Sequence, residues 1–383
     1  MSTLELRHLN KRYAGGDWAV QDLSVVVGDG EFFVIVGPSG CGKSTVLRMV
    51  AGLEQVTGGD VLIDGRNVNA VPANERDVAM AFQDHALYPH MTVAENIGFP
   101  MWVDHVHQSI LERRIQETAS ALQLTDVLHL KPDRLSGGQR QRTALGRAIV
   151  RNPQVLLMDE PMSHLDAKLR TQTRLVITRM QRRLGVTTIY VTHDHDEAMA
   201  MGDRLAVMRR GRIEQCGVPI EVYDHPRNLF VATFVGTPSM NVVKATVVAS
   251  NDRNAELAVV VGPHRVPLDD IEVRRRPLWR RLVGRDIAVG MRPDAIRRDP
   301  DGPLVGSVRS TEVLDRHTWV TFDLDAPTVH ATDTGTRVGR EQRSTVVMSM
   351  DPDAAVNRWE PLKFGVDLDR VHLFDLHSGD ALE

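Results

Sequence analysis

The sequence predicts an α/β domain built on a buried parallel sheet, followed by a separate all-β domain. Three observations lead there. Two short, unbroken apolar runs, "FFVIV" (Phe32–Val36) and "VLLM" (155–158), suit strands covered on both faces. The first turns through a glycine-rich loop into a helical segment beginning at Ser44. From Val242 onward the pattern changes to short β-branched runs separated by Gly, Pro and Asp. With 383 residues, 42% apolar and 25% charged, the chain has the composition of a globular protein of two or three domains. Its net charge of −4 argues against bulk nucleic-acid binding. Neither a long apolar stretch nor an N-terminal signal pattern is present, so a cytoplasmic location is expected. The two cysteines, Cys41 and Cys216, suit a reducing compartment and provide neither a disulfide framework nor metal-ligand spacing.

The glycine-rich loop comes first in the chemistry. Gly37, Gly40 and Gly42 are expected to allow the backbone to curl its N–H groups around an anion. The helix that follows adds about half a positive charge at its N-terminus, so phosphate is the natural occupant. Gly37, Gly42, Lys43 and Ser44 complete G-x-x-x-x-G-K-[ST], in which the lysine reaches the β- and γ-phosphates and the serine hydroxyl ligates Mg²⁺. Pro38, Ser39, Cys41 and Thr45 fill the rest of this stretch. Cys41, beside Lys43 and at a helix N-terminus, is expected to have a depressed thiol pKa.

A phosphate loop alone does not separate kinases, GTPases, helicases and transport motors. The second apolar run ends in Asp159 and Glu160, at the sheet edge where ligands sit in open α/β folds. There Asp159 would hold Mg²⁺ beside Ser44, and Glu160 would polarise an attacking water as general base. Between the two strands, "LSGGQRQR" (135–142) opens another helix, and its N-terminus makes a second anion site.

"GPSGCGKST", "LSGGQ" and "LLMDEP", in that order, resemble the ATPase subunit of an ATP-binding cassette (ABC) transporter over residues 1 to about 240. The resemblance implies a P-loop cassette at 1–235, with a helical subdomain at about 84–150, that binds ATP and Mg²⁺. It implies that Tyr13 stacks on adenine, and that Gln83 touches both Mg²⁺ and the attacking water. His193 in "YVTHDHDEA" corresponds to the switch histidine, and Asp166 in "SHLD" to a loop that crosses a dimer interface. Ser136, Gly137, Gly138 and Gln139 would cap the γ-phosphate of ATP held by Lys43 of a second chain. The implied assembly is a homodimer, or a pair with a similar ATPase, on the cytoplasmic face of a membrane. Two integral-membrane permeases and, indirectly, an extracytoplasmic solute-binding protein would complete it. His164 and His195 stand where relatives more often carry other residues.

The segment 83–136 is expected to be largely helical, with Ile110, Leu111, Ile115, Thr118, Ala119 and Leu122 forming one apolar stripe. Tyr88, Pro89 and Met91 lie where the family receives its membrane subunit. The all-β region, 236–383, resembles through "GMRPDAI" and "DRVHLFD" the OB-like barrel regulatory domain of sugar-type importer ATPases. Arg274, Arg275, Arg276, Arg280, Arg281 and Arg285 around Trp279 read as a solvated basic face, because the aromatic repeats of a nucleic-acid platform are missing. The competing class is a soluble cassette ATPase not engaged in transport. It would predict two cassettes or a long heptad insert, and neither occurs.

Overall fold

The computed structural model describes residues 2–84, 86–250, 255–314, 317–332, 335–339, 341, 343–351 and 358–382. The chain divides into two compact units, Met1–Ile220 and Glu221–Glu383.

The first unit opens with the antiparallel pair β1 (Leu4–Arg12) and β2 (Trp18–Val27), apolar and buried on one face. A register shift between Leu6 and Leu9 keeps both side chains inward although they are three residues apart. Strand β3 (Phe32–Val36) is buried at every position and passes through the glycine loop into α1 (Lys43–Ala51), which starts one residue before the expected Ser44. Next, β4 (Gly58–Ile63) and β5 (Arg66–Asn67) complete a four-stranded sheet of order β2-β1-β4-β5.

After β6 (Val78–Ala81) the chain turns helical, with α2 (Val93–Val103), α3 (Gln108–Ala121) and α4 (Gly137–Ile149). Thr92 and Glu95 form a reciprocal capping box at the start of α2. Leu111, Thr118, Ala119 and Leu122 are buried as the periodicity requires. Ile110 departs from that expectation. It is 42% exposed, because it sits one residue ahead of the line through Leu111, Ile115 and Leu122 and so falls off the buried face.

The chain then returns to the sheet with β7 (Val155–Asp159), α5 (Ala167–Leu184), β8 (Thr187–Thr192), α6 (His195–Met201), β9 (Arg204–Arg209) and β10 (Arg212–Gly217). The six-stranded order is β10-β9-β3-β8-β7-β6, parallel except for β10. One core joins Phe33, Ile35, Leu157, Ile189 and Met208 of the sheet to Val46, Leu47 and Val50 of α1. Register decides where the site forms. Val36 pairs with Thr192, and Asp159 with Val191, so β3, β7 and β8 deliver their C-terminal loops to the same edge.

The division falls within α7 (Pro219–Asp224), and α8 (Leu229–Phe234) lies in the second unit. Leu229 and Ala232 share a core with Met240, Val242, Ala288 and Phe374, which is why the division falls at 220 and not at the expected 235. Strands β11 (Asn241–Ala249), β12 (Leu257–Val261) and β13 (His264–Leu268) precede the short helices α9 (Asp270–Arg275) and α10 (Leu278–Arg281). Then come β14 (Asp286–Met291), β15 (Ile296–Arg298), β16 (Leu304–Leu314), β17 (His317–Leu324) and β18 (Val329–Thr332). The last are β19 (Gly335–Val338), β20 (Ser344–Met350), β21 (Pro361–Val366) and β22 (Val371–Asp375). They form two five-stranded antiparallel sheets, β13-β12-β11-β14-β22 and β15-β21-β16-β17-β20, and the hairpin β18-β19. Trp279 is buried in this core, while Arg274, Arg275, Arg280, Arg281 and Arg285 around it are exposed. Of the arginines around it, Arg280 pairs with Glu256, Arg275 pairs with Asp369, and Arg276 donates to the Asp369 and Val371 carbonyls.

Candidate functional site

The loop between β3 and α1 needs its glycines chiefly for its walls. A Cβ on Gly37 would lie 2.2 Å from the Met208 carbonyl oxygen, and one on Gly42, whose φ is 107°, would lie 2.2 Å from that of Ala19. Neither position admits a side chain. Lys43 is 4% exposed, and its Nζ donates to the Gly37 and Pro38 carbonyls at 2.8 and 2.9 Å. Pro38 and Ser39 are exposed and Thr45 is half-buried.

Cys41 contradicts its expectation. Its side chain packs in the core with Val46 and Met208, and burial pushes the thiol above its ordinary pKa, opposed only in part by the Lys43 charge. The proximity of Lys43 and the helix N-terminus was legible in the sequence, but the inward direction of the Cys41 side chain was not.

Ser44 Oγ donates to Asp159 Oδ1 at 2.8 Å, which joins α1 to the end of β7 across the intervening β8. Burial holds the Asp159 carboxyl above the usual carboxylate range; the Ser44 hydrogen bond opposes the shift and the Glu160 charge adds to it. Glu160 takes a left-handed φ of 42°, unusual for a residue with a Cβ, and its N–H donates to Val191 O at 3.0 Å. In this posture Glu160 Oε1 lies 3.7 Å from Lys43 Nζ, and Oε2 lies 2.8 Å from His193 Nδ1. Half of the His193 side chain remains exposed.

A hydroxyl and a carboxylate converging at 2.8 Å are hard oxygen donors of the kind Mg²⁺ takes together with substrate phosphates. Among the described residues no group of three or more His, Cys, Asp or Glu is placed to hold a metal ion.

The remaining expected residues stand apart from this cluster. Gln83 is exposed, and its Nε2 donates to Ser163 Oγ at 3.5 Å rather than to Ser44 or Asp159. Asp166 caps α5 by accepting from Leu169 N at 2.9 Å. Ser136 and Gln139 form a capping box at the exposed start of α4, Gly137 opens that helix, and Gly138 packs against Leu169. Tyr13 is 43% exposed with Lys11 Nζ 5.0 Å from its ring centroid. His164 is exposed and His195 is half-buried. Sequence reasoning missed Arg170, Tyr190, Asp194 and Glu197. Their one available signal was the run of acids after His193.

A glycine loop with its lysine and serine, two carboxylates at the end of a strand one removed in the sheet, and a histidine bonded to the second carboxylate define a P-loop nucleoside-triphosphatase. Residues 20–163 match the ABC transporter family. The sulfoquinovosyl glycerol transport ATP-binding protein of Agrobacterium fabrum is 45% identical, with 98% of each chain covered. The trehalose import ATP-binding protein of Mycobacterium tuberculosis is 40% identical over 100% of this chain and 98% of its own. Among solved structures, a dimeric ATP-binding cassette in a post-hydrolysis state with ADP and phosphate matches 56% of this chain and 98% of its own, with 30% identity and a TM-score of 0.51. The chain belongs to the ATP-binding subunits of ABC transporters, and is an ATPase of that family.

Proposed function

We propose that this chain is the ATP-hydrolysing motor of an importer for a carbohydrate or glycerol-phosphate-type solute. The observation that carries the chemical reading is Glu160 held between Lys43 and His193. Lys43 would exchange the Gly37 and Pro38 carbonyls for the β- and γ-phosphates of ATP. The water oxygen bonds to the γ-phosphorus as the bond from that phosphorus to the bridging oxygen breaks, and Glu160 takes the water's proton, leaving ADP and phosphate. His193 orients the Glu160 carboxylate and reaches the γ-phosphate from its exposed edge. Ser44 and Asp159, with Gln83 beyond them, would hold Mg²⁺, which supplies neutralisation of the phosphate charge when bound.

Tyr13 stacks on adenine in this reading, with the loop Gly37, Pro38, Ser39, Gly40, Cys41, Gly42, Lys43, Ser44 and Thr45 around the phosphates. Ser136, Gly137, Gly138, Gln139 and Asp166 act on nucleotide held by a second copy of the chain. The names of the relatives favour import of sugar-like or glycerol-phosphate solutes. No helix among the described residues is long and apolar enough to cross a membrane. In this reading the chain works at a membrane's cytoplasmic face with two permeases and, indirectly, a solute-binding protein. The second unit, 221–383, would act as an OB-like regulatory domain.

Two measurements test this. Glu160→Gln keeps shape and loses the base, so ATP should still bind while turnover falls about 100-fold or more; parental turnover would overturn the role. Purification of the chain from membranes should recover permeases, whereas recovery with ribosomes or DNA would overturn the transport reading.

A further inference from the structure

A partly buried polar network lies behind the catalytic edge. Arg170, on the first turn of α5, directs one guanidinium nitrogen, Nη2, to the Leu165 carbonyl at 3.2 Å. Leu165 belongs to the loop 163–166, whose Ser163 receives the Gln83 hydrogen bond and whose Asp166 caps α5. The other terminal nitrogen, Nη1, donates to Asp194 Oδ2 at 3.2 Å. Asp194 directly follows His193 and caps α6, accepting from the Asp196 and Glu197 N–H groups at 2.9 and 3.1 Å.

Glu197 is the fixed point of this network. It is 4% exposed, and its Oε2 accepts from Tyr190 Oη at 2.7 Å and from Thr192 Oγ1 at 2.8 Å. Tyr190 and Thr192 lie on β8, and Thr192 immediately precedes His193. The remaining oxygen, Oε1, faces Arg170 Nε at 3.7 Å. That Nε is buried and makes no hydrogen bond, so the third arm of the guanidinium is aimed at a carboxylate but not closed upon it. A rigid planar fork whose two terminal nitrogens hold Leu165 and Asp194 ties the two loops at a fixed spacing, which a lysine on its flexible stem would not impose.

We propose that Arg170 is a positioning residue that couples the loop 163–166 to the loop carrying His193, using buried Glu197 as its fixed counter-charge. When the loop 163–166 shifts, Arg170 moves with the Leu165 carbonyl and pulls on Asp194, thereby setting the distance between His193 and Glu160. Arg170 touches neither nucleotide nor the reacting atoms. The proposal rests on the reading of His193 as a participant in hydrolysis.

The test is steady-state ATP hydrolysis by the full chain in four variants, Arg170→Met, Arg170→Lys, His193→Ala and the double Arg170→Met/His193→Ala. Arg170→Met should lower kcat about tenfold while KM for ATP changes by less than about twofold, because nucleotide binding does not use the fork. Arg170→Lys keeps the charge and should fail to restore kcat, since the lysine nitrogen ends one bond short of the Nη1 and Nη2 positions that reach Asp194 and Leu165. In the His193→Ala background, Arg170→Met should change kcat by less than about twofold, because both act through one group. Multiplied losses in the double variant, or a rise in KM matching the fall in kcat, would overturn the proposal alone. Parental kcat in His193→Ala would instead remove the reading beneath it. If Arg170→Met does not fold, Glu197→Gln gives the same decision: the amide still accepts from Tyr190 and Thr192 but gives Arg170 no charge, so a kcat-selective loss is expected and parental kcat would overturn the coupling.

Discussion

Asp159 shows how one side chain is set against stability for function. Its carboxyl pKa is raised in the folded protein because burial disfavours the charged form more than the Ser44 hydrogen bond favours it. A folded-state pKa above the unfolded one means that the native chain holds the proton longer. Stability is therefore highest below the ordinary carboxylate range and falls as pH rises through the raised value. Asp159→Asn keeps an acceptor for Ser44 and removes the buried charge. The nucleotide-free variant should melt about 2–4 °C higher at neutral pH, with the gap closing as pH falls through the carboxylate range, while Mg²⁺-dependent ATP binding is lost. Thermal melts across that range, with and without Mg-ATP, check both halves. Cys41 gives a second prediction. Burial raises the pKa of both thiols, but Cys41 is buried and Cys216 is exposed, so Cys41 should alkylate more slowly at neutral pH, and labelling of the two thiols followed by mass spectrometry measures the order. Faster labelling of Cys41 would mean that the loop opens enough to turn the thiol outward.

Helix termini carry much of the site at the scale of elements. The start of α4 presents Ser136 and Gln139 as a closed capping box, and its Gly138 lies against α5, where an added Cβ would come within 2.7 Å of Leu169 Cδ1 and 3.1 Å of Cγ. Leu169 in turn gives its N–H to Asp166, so α4 presses on the first turn of the helix that holds the loop 163–166. Gly138→Ala should therefore cost about 1–3 kcal/mol through overpacking and also lower turnover, whereas Ser136→Ala should cost about 1 kcal/mol through loss of the cap. Denaturant titration separates the two. An unchanged midpoint for Gly138→Ala would mean that Leu169 moves aside without strain.

For the whole molecule the decisive feature is that β3, β7 and β8 end together. On the proposed reading, Ser136 acts on nucleotide held by the loop 37–45 of a second chain. Mixing Ser136→Arg chains with Lys43→Ala chains should return activity above either variant alone, because one intact composite site forms per mixed pair. No gain, with nucleotide-dependent dimerisation preserved, would count against that site. Much of this was legible beforehand. Phe32–Val36 and the run before Asp159 declared buried parallel strands by their unbroken apolarity, and Gly37, Gly42, Lys43 and Ser44 declared a phosphate loop by spacing, because backbone geometry leaves few other residues able to do that work. The β-branched runs after Val242 likewise declared strands, since their side-chain shape favours the pleated backbone. Local pattern carries no information about direction or long-range pairing. Only the tertiary structure decided that Cys41 points into the core, that Trp279 is buried among its arginines, that α8 belongs to the second unit, and that Arg170 spans two loops. Each of these depends on which surfaces meet across distant parts of the chain, and that is set by packing rather than by any residue's neighbours in sequence.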